Sequence, residues 1–170
     1  MRKIIASEYV SLDTMMDEPG LWSMPFFNDE ISQYKHEELF SADALILGRV
    51  TYDGFLVAWP TSTDEFGFAD RMNGLPKYVA SRTRTDLDWN ATVIRGDLID
   101  EVAKLKQQSR QSLLIGGSGQ LRLLVHPIVL GAGTPLFRTV PKATLTLTDT
   151  TTFSTGVVAL TYQPTERDAA

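Results

Sequence analysis

Three short stretches of this chain carry residues able to hold an anion, and each follows an apolar run. Leu47-Gly48-Arg49-Val50-Thr51 sets a glycine where backbone must pass closely, then an arginine and a threonine at the start of a helical pattern. Free N–H groups at a helix start favour phosphate, which makes Gly48, Arg49 and Thr51 candidate ligand contacts. The same pentad also reads as a glycine turn with a solvated arginine. Ala80-Ser81-Arg82-Thr83 follows the run KYVA and offers two hydroxyls and a guanidinium. A guanidinium forks onto a phosphate monoester through charge-assisted bonds contributing roughly 1.5–3 kcal/mol each. Exposed Ser/Arg loops are nevertheless common, and Arg84 follows at once. The third stretch, GGSGQ, comprises Gly116, Gly117, Ser118, Gly119 and Gln120 and lacks the full G-x-G-x-x-G spacing. Ligands of open α/β sheets bind beyond the carboxyl ends of strands, so three such stretches after three strands reinforce one another.

The acid–base inventory is thin. Asp13, Asp17, Glu18, Asp29 and Glu30 lie in or beside an apolar loop, and Asp13, Asp29 and Glu30 are the candidate catalytic acids. No Ser/His/Asp or Cys/His set can be assembled, and GGSGQ is not the G-x-S-x-G elbow, so hydrolase chemistry is disfavoured. Hydride transfer stays open, because there a cofactor carries the hard chemistry and the protein orients it and excludes water. Trp22, Phe26 and Phe27 suit the lining of an aromatic pocket and equally suit core or loop-anchoring roles. With no cysteine, and His36 and His126 in no ligand spacing, no metal site is expected.

The elements that must position these residues are readable from periodicity. Lys3 to Val10 reads as a buried strand and Ser11 to Pro25 as an irregular loop with Pro19-Gly20 as a turn signal. Asn28 suits the cap of a helix over DEISQYKHEELF. Short strands are expected at Ala44 to Leu47, Lys77 to Ala80, Thr92 to Ile94 and Leu113 to Ile115. Helices are expected from Val50, around Phe68 to Met72, and after the Asp97 cap to about Gln108. Strands alone follow, at Leu123 to Leu130, Ala143 to Thr152 and Gly156 to Tyr162. Alternation followed by strands alone predicts a mostly parallel sheet with an antiparallel edge hairpin.

A length of 170 residues with 43% apolar content suits one domain over residues 1–163, with 164–170 as a polar tail. The net charge of -5 lacks the footprint of a nucleic-acid binder. No window approaches the ~20 apolar residues of a membrane span, so neither nucleic acid nor membrane is an expected partner. The cysteine-free composition fits a cytoplasmic enzyme.

Taken in order, MRKIIASEYVSLD, ADALILGRVTYDGF, PKYVASRT, LLIGGSGQ and HPIVLGAGTPLF make the chain resemble the dihydrofolate-reductase-like family. That family includes the reductase domain of the bifunctional riboflavin-biosynthesis deaminase-reductase, and the likeness is closest to its small stand-alone bacterial members. The resemblance implies an α/β three-layer fold: a mostly parallel central sheet, helices on both faces, and a C-terminal antiparallel hairpin. It implies NADPH as hydride donor, with Gly48, Arg49 and Thr51 on the cofactor phosphates and Ser81 and Arg82 on the adenosine 2′-phosphate. Gly116 to Gln120 would then meet the pyrophosphate and nicotinamide side. Ser11, Leu12 and Asp13 would border nicotinamide and a small-molecule substrate, with Trp22, Phe26 and Phe27 around it. A homodimer through the terminal strands is a further implication. So is reduction of a metabolite such as 5-amino-6-(5-phosphoribosylamino)uracil; the other reading is a non-catalytic nucleotide-binding or sensory module.

Three departures limit this likeness. Folate reductases place an acid a few positions after a Trp and a Pro; Trp22 and Pro25 fit, but Phe27 stands where the acid belongs. Folate reduction is therefore disfavoured, since no matched carboxylate would assist protonation of the pterin ring. The deaminase half, with its cysteine-bearing zinc motif, has no counterpart in this sequence. Finally, the family pattern places a helix between GGSGQ and the strand near Leu123, where this chain has only Leu121-Arg122. A parallel crossover takes about a dozen residues, so LLIG and LLVH are not expected to be parallel neighbours joined by that link: either the helix is deleted and the strands are rearranged, or, the favoured reading, residues are missing between Gln120 and Leu123.

Overall fold

The computed structural model describes residues 3–108, 112–114 and 120–165. The chain packs as two compact units, each built from two stretches: Met1–Ile4 with Lys35–Gly116, and Ile5–Tyr34 with Gly117–Ala170.

The first unit holds β2 (Ala42–Gly48), α3 (Arg49–Ala58), α4 (Phe68–Gly74), β3 (Lys77–Ala80), β4 (Ala91–Ile94), α5 (Leu98–Gln108) and β5 (Ser112–Leu114). Its strands are parallel in the order β4-β3-β2-β5. Strand side chains alternate between faces, and the sequence ADALILG fills both. Leu45 and Leu47 join Tyr52, Met72, Leu75 and Val79 under α3 and α4. Ala44 and Ile46 join Ile4, Leu113 and Leu105 under α5. This sheet is therefore covered on both faces, as an α/β reading requires.

The second unit holds most of β1 (Ile4–Ser11), with α1 (Pro19–Trp22), β6 (Gln120–His126), β7 (Leu145–Thr152) and β8 (Val158–Pro164). β1 runs parallel to β6, while β6, β8 and β7 are antiparallel, giving the expected C-terminal hairpin. Helix α2 (Asp29–Phe40) is shared, its first half in this unit and its second in the other. Asn28 caps it as expected, its Oδ1 accepting the Ile31 N–H at 3.1 Å. Ile31, Leu124, Phe153, Val157 and Ala159 form this unit's core.

The structure departs from the sequence reading at two places that matter for the site. The stretch read as irregular contains α1 and a 3-10 turn over Met24–Phe26, and Pro19 opens the helix instead of marking a turn. Proline's fixed φ and missing N–H suit a first helical turn. Further on, Gln120, Leu121 and Arg122 run directly into Leu123 as one strand, with no helix between them. β6 takes β1 as its parallel partner, pairing Ile5 with Gln120 and Ser11 with His126. It ends at His126, where Pro127 brings no N–H to the ladder, and not at Leu130. At the C-terminus Pro164 still belongs to β8, and the Thr165 N–H donates to the Thr144 carbonyl at 3.1 Å.

Candidate active site

At the carboxyl edge of the first unit's sheet, register places Gly48 beside Ala80 and Ala80 beside Ile94. The segments that follow, helix α3 from Arg49 and the loops from Ser81 and Arg95, therefore leave from one edge. Gly48, Arg49 and Thr51 are all exposed, and α3 begins with no side chain capping its first N–H groups. The backbone at Gly48 has φ -71° and ψ 156°, open to any residue. Among the described residues a Cβ on Gly48 would meet nothing within 4 Å. Among the described residues neither conformation nor packing requires glycine there.

Asp53, one turn into α3, accepts from Arg49 Nη1 at 3.1 Å and from Arg84 Nη2 at 2.7 Å. Such exposed pairs contribute only about 0–1 kcal/mol, so their importance is that one carboxylate orients two guanidiniums beside the α3 N-terminus. Ser81 Oγ accepts the N–H groups of Thr83 and Arg84 at 3.3 and 3.0 Å and so folds the ASRT loop. Arg82 is exposed and forms no ion pair among the described residues. Arg95 Nη2 donates to the Thr85 carbonyl at 3.2 Å. Beside this edge a pocket of about 380 Å³ is lined by Tyr78, Thr92, Val93, Ile94, Arg95, Glu101 and Leu105. The sequence reading missed Arg84 as an oriented group and Arg95 altogether, although Arg95 directly follows a strand.

In the second unit two loops zip together. Leu12 donates to the Ile128 carbonyl at 2.8 Å, Met16 to Thr134 at 3.0 Å and Leu136 to Thr14 at 2.9 Å. Two aspartates complete the seam. Asp13 accepts from Ser11 Oγ at 2.6 Å, from the Leu130 N–H at 3.1 Å and from the Gly131 N–H at 2.8 Å. These donors, Ser11 first, hold its carboxyl down to about 2. Asp17 accepts the Thr134 N–H. Of the other candidate acids, Glu30 accepts from the Ser154 N–H and Oγ at 2.7 and 2.6 Å, which keep its carboxyl below the usual range. Asp29 is exposed in the first turn of α2.

Trp22 is buried, its indole N–H donating to the Asp17 carbonyl at 2.8 Å, so it anchors the loop. Its ring, with Tyr9 and Phe26, surrounds His126 at centroid distances of 5.2, 5.2 and 5.9 Å. His126 Nδ1 faces the Leu124 carbonyl at 2.9 Å, and burial lowers its affinity for a proton. Leu12 and Phe27 stand exposed. Gln120 opens β6, its Oε1 accepting from Arg122 Nη2 at 3.1 Å, while Gly116, Gly117, Ser118 and Gly119 lie outside the described residues. Among the described residues no group of three or more acids and histidines is placed to hold a metal ion, and no helix is long and apolar enough to cross a membrane.

The family model of the RibD C-terminal domain matches residues 2–159. The uncharacterized protein YyaP of Bacillus subtilis is 32% identical over 137 residues, which cover 71% of this chain and 73% of YyaP. A crystal structure from Shewanella sp. PV-4, provisionally named for riboflavin biosynthesis, superposes with a TM-score of 0.77 at 21% identity, covering 96% of this chain and 99% of that one. RibD of Acinetobacter baumannii superposes at 0.65 and 13% identity, covering 98% of this chain and 59% of its own. At these identities the solved structures carry the fold alone.

Proposed function

This chain belongs to the RibD C-terminal domain family, a riboflavin-biosynthesis reductase-like group, and we propose that it is an NADPH-dependent reductase of a small metabolite. The carrying observation is the shared carboxyl edge of β2, β3 and β4, where exposed Gly48 and the bare N-terminus of α3 lie one strand from Ser81 and Arg82. Gly48, Arg49 and Thr51 would hold the cofactor's phosphates, and Ser81 with Arg82 its 2′-phosphate. The pocket beside α5 would take the adenosine. NADPH, when bound, supplies a hydride; the chain's own residues bind it, orient it and shield it from water. Ser11, Leu12 and Asp13 shape the substrate side, and Asp13 and Glu30 act as loop anchors in this reading, not as proton donors. The reference substrate is 5-amino-6-(5-phosphoribosylamino)uracil. We further propose a cytoplasmic homodimer paired through the terminal strands, in which β7 is an exposed edge.

NADPH and NADH titrations of wild type and Arg82→Ala test this reading. NADPH is expected to bind more tightly than NADH, and the substitution to cost about tenfold or more for NADPH alone. Equal affinities would remove Arg82 from the 2′-phosphate site. Tight binding with background NADPH oxidation across pterins and the pyrimidine would favour a non-catalytic nucleotide-binding module. The engaged carboxylates of Asp13 and Glu30 motivate that second reading.

A further inference from the structure

We propose that the substrate is a neutral carbonyl or imine compound without a phosphate, received by the paired loops that follow β1 and β6. The proposal rests on the reductase reading above and departs from its reference substrate in one group, the phosphate.

The first observation is charge. Residues 5–34 contain no lysine or arginine but six carboxylates: Glu8, Asp13, Asp17, Glu18, Asp29 and Glu30. The facing loop has no cation from Pro127 to Phe137. A phosphate monoester carries about -1.5 to -2 charge at neutral pH. Brought against these loops it would meet like charge, the nearest cation in sequence on the second loop being exposed Arg138, beyond Phe137.

The second observation concerns backbone donors, the other means of holding an anion. Gly131 has φ +75°, and the adjacent N–H groups of Leu130 and Gly131 converge as an anion cradle would. That cradle already holds an anion, the carboxylate of Asp13. Since the Asp13 carboxyl titrates near 2, it stays ionised at any working pH. The Thr134 N–H is likewise taken by Asp17, the Leu12 N–H by Ile128 and the Met16 N–H by Thr134. These five donors are spent inside the protein.

The third observation is what these loops present instead. Leu12 is 62% exposed and Val129 64%, and the Leu12-to-Ile128 hydrogen bond places them on adjoining backbone. Met24, Phe27 and Phe137 are exposed as well. The side chains of Leu12 and Val129 gain from covering an apolar compound, whose burial stabilises by about 25 cal/mol per Å². For such a substrate the reaction balances simply. The hydride of NADPH adds to the carbon of the C=O or C=N bond, a proton from solvent adds to the heteroatom, and NADP⁺ leaves.

The test is equilibrium binding, by calorimetry, of two matched pairs to wild type in the presence of NADP⁺ and in its absence. One pair is 5-amino-6-(5-phosphoribosylamino)uracil and its dephosphorylated form; the other is 4-hydroxybenzaldehyde and 4-formylphenyl phosphate. In at least one pair the phosphate-free member is expected to bind tenfold or more tightly than its ester. Leu12→Arg, a change at an exposed side chain, is expected to improve the ester's binding several-fold. Esters binding as well as or better than their partners, or no binding in either pair, would overturn the proposal. Failure of the reductase reading shows separately, as absent NADPH binding in the cofactor titration.

Discussion

Gly133 and Asp17 approach so closely that a Cβ on Gly133 would lie 2.9 Å from the Asp17 Oδ2. The same glycine has φ +135°, a conformation that side chains with a Cβ rarely adopt. Together these fix where the second loop crosses the first, since Asp17 also accepts the Thr134 N–H. Gly133→Ala is expected to destabilise by about 1–3 kcal/mol, read as a lower urea midpoint with unchanged slope. Adding Asp17→Ala removes the contact but not the strained φ, so a double-mutant cycle should recover only part of the loss.

Asp13 makes the seam sensitive to acid. Its carboxyl is lowered from 3.8 to about 2 by Ser11 and the N–H groups of Gly131 and Leu130. A depressed carboxyl contributes stability that is complete above the unfolded value and lost as pH falls through the folded one. Asp13→Asn is therefore expected to be less stable than wild type at pH 7. The difference should shrink between about pH 4 and pH 2 in urea titrations, and a difference that persists undiminished at pH 2 would contradict this account.

How much of this was legible in the sequence follows from the kind of interaction involved. Helix α2 and its Asn28 cap, strand β3, and α5 after Asp97 are local, set by periodicity and by side chains reaching two or three residues on. The alignment of Gly48 with Ala80, which brings Ser81 to the same edge, was legible only as two similar stretches after two strands; the pairing spans 32 residues of sequence. The seam was not legible. Asp13 looked like an acid free for catalysis, and only the return of Leu130 and Gly131 from more than a hundred residues away shows its oxygens occupied. Trp22 was ambiguous between pocket and anchor; its indole bond to the Asp17 carbonyl is a contact that the sequence did not show. His126 gave no signal, because its aromatic surround comes from three separate elements.

Lys77 titrates in the opposite direction to Asp13. It is buried, with Nζ donating to the carbonyls of Leu75 and Asn73 at 2.8 and 3.0 Å and lying 4.0 Å from the Trp89 ring centroid. Burial lowers it from 10.5 to about 8. Below pH 8 both folded and unfolded chains are charged, and the folded one bears the desolvation cost. Between about 8 and 10.5 only the folded chain sheds the proton, so stability should rise with pH relative to Lys77→Met. A wild-type-minus-variant difference that stays flat across this window would contradict the assignment.

Gly48 offers a way to separate binding from folding. Its φ and ψ are ordinary for an extended residue, and among the described residues space for a side chain is open. Gly48→Val should therefore leave stability within about 0.5 kcal/mol of wild type, since an exposed substitution without strain or clash has little to change. If the cofactor's phosphates pass against this backbone on the way to the α3 N-terminus, the added isopropyl group occupies their path. NADPH affinity is then expected to fall tenfold or more while the urea midpoint stays put. Unchanged affinity would mean that nothing approaches Gly48, and the phosphate path would have to run elsewhere along the edge. A fall in both quantities would show instead that Gly48 serves the fold, against the open space around it.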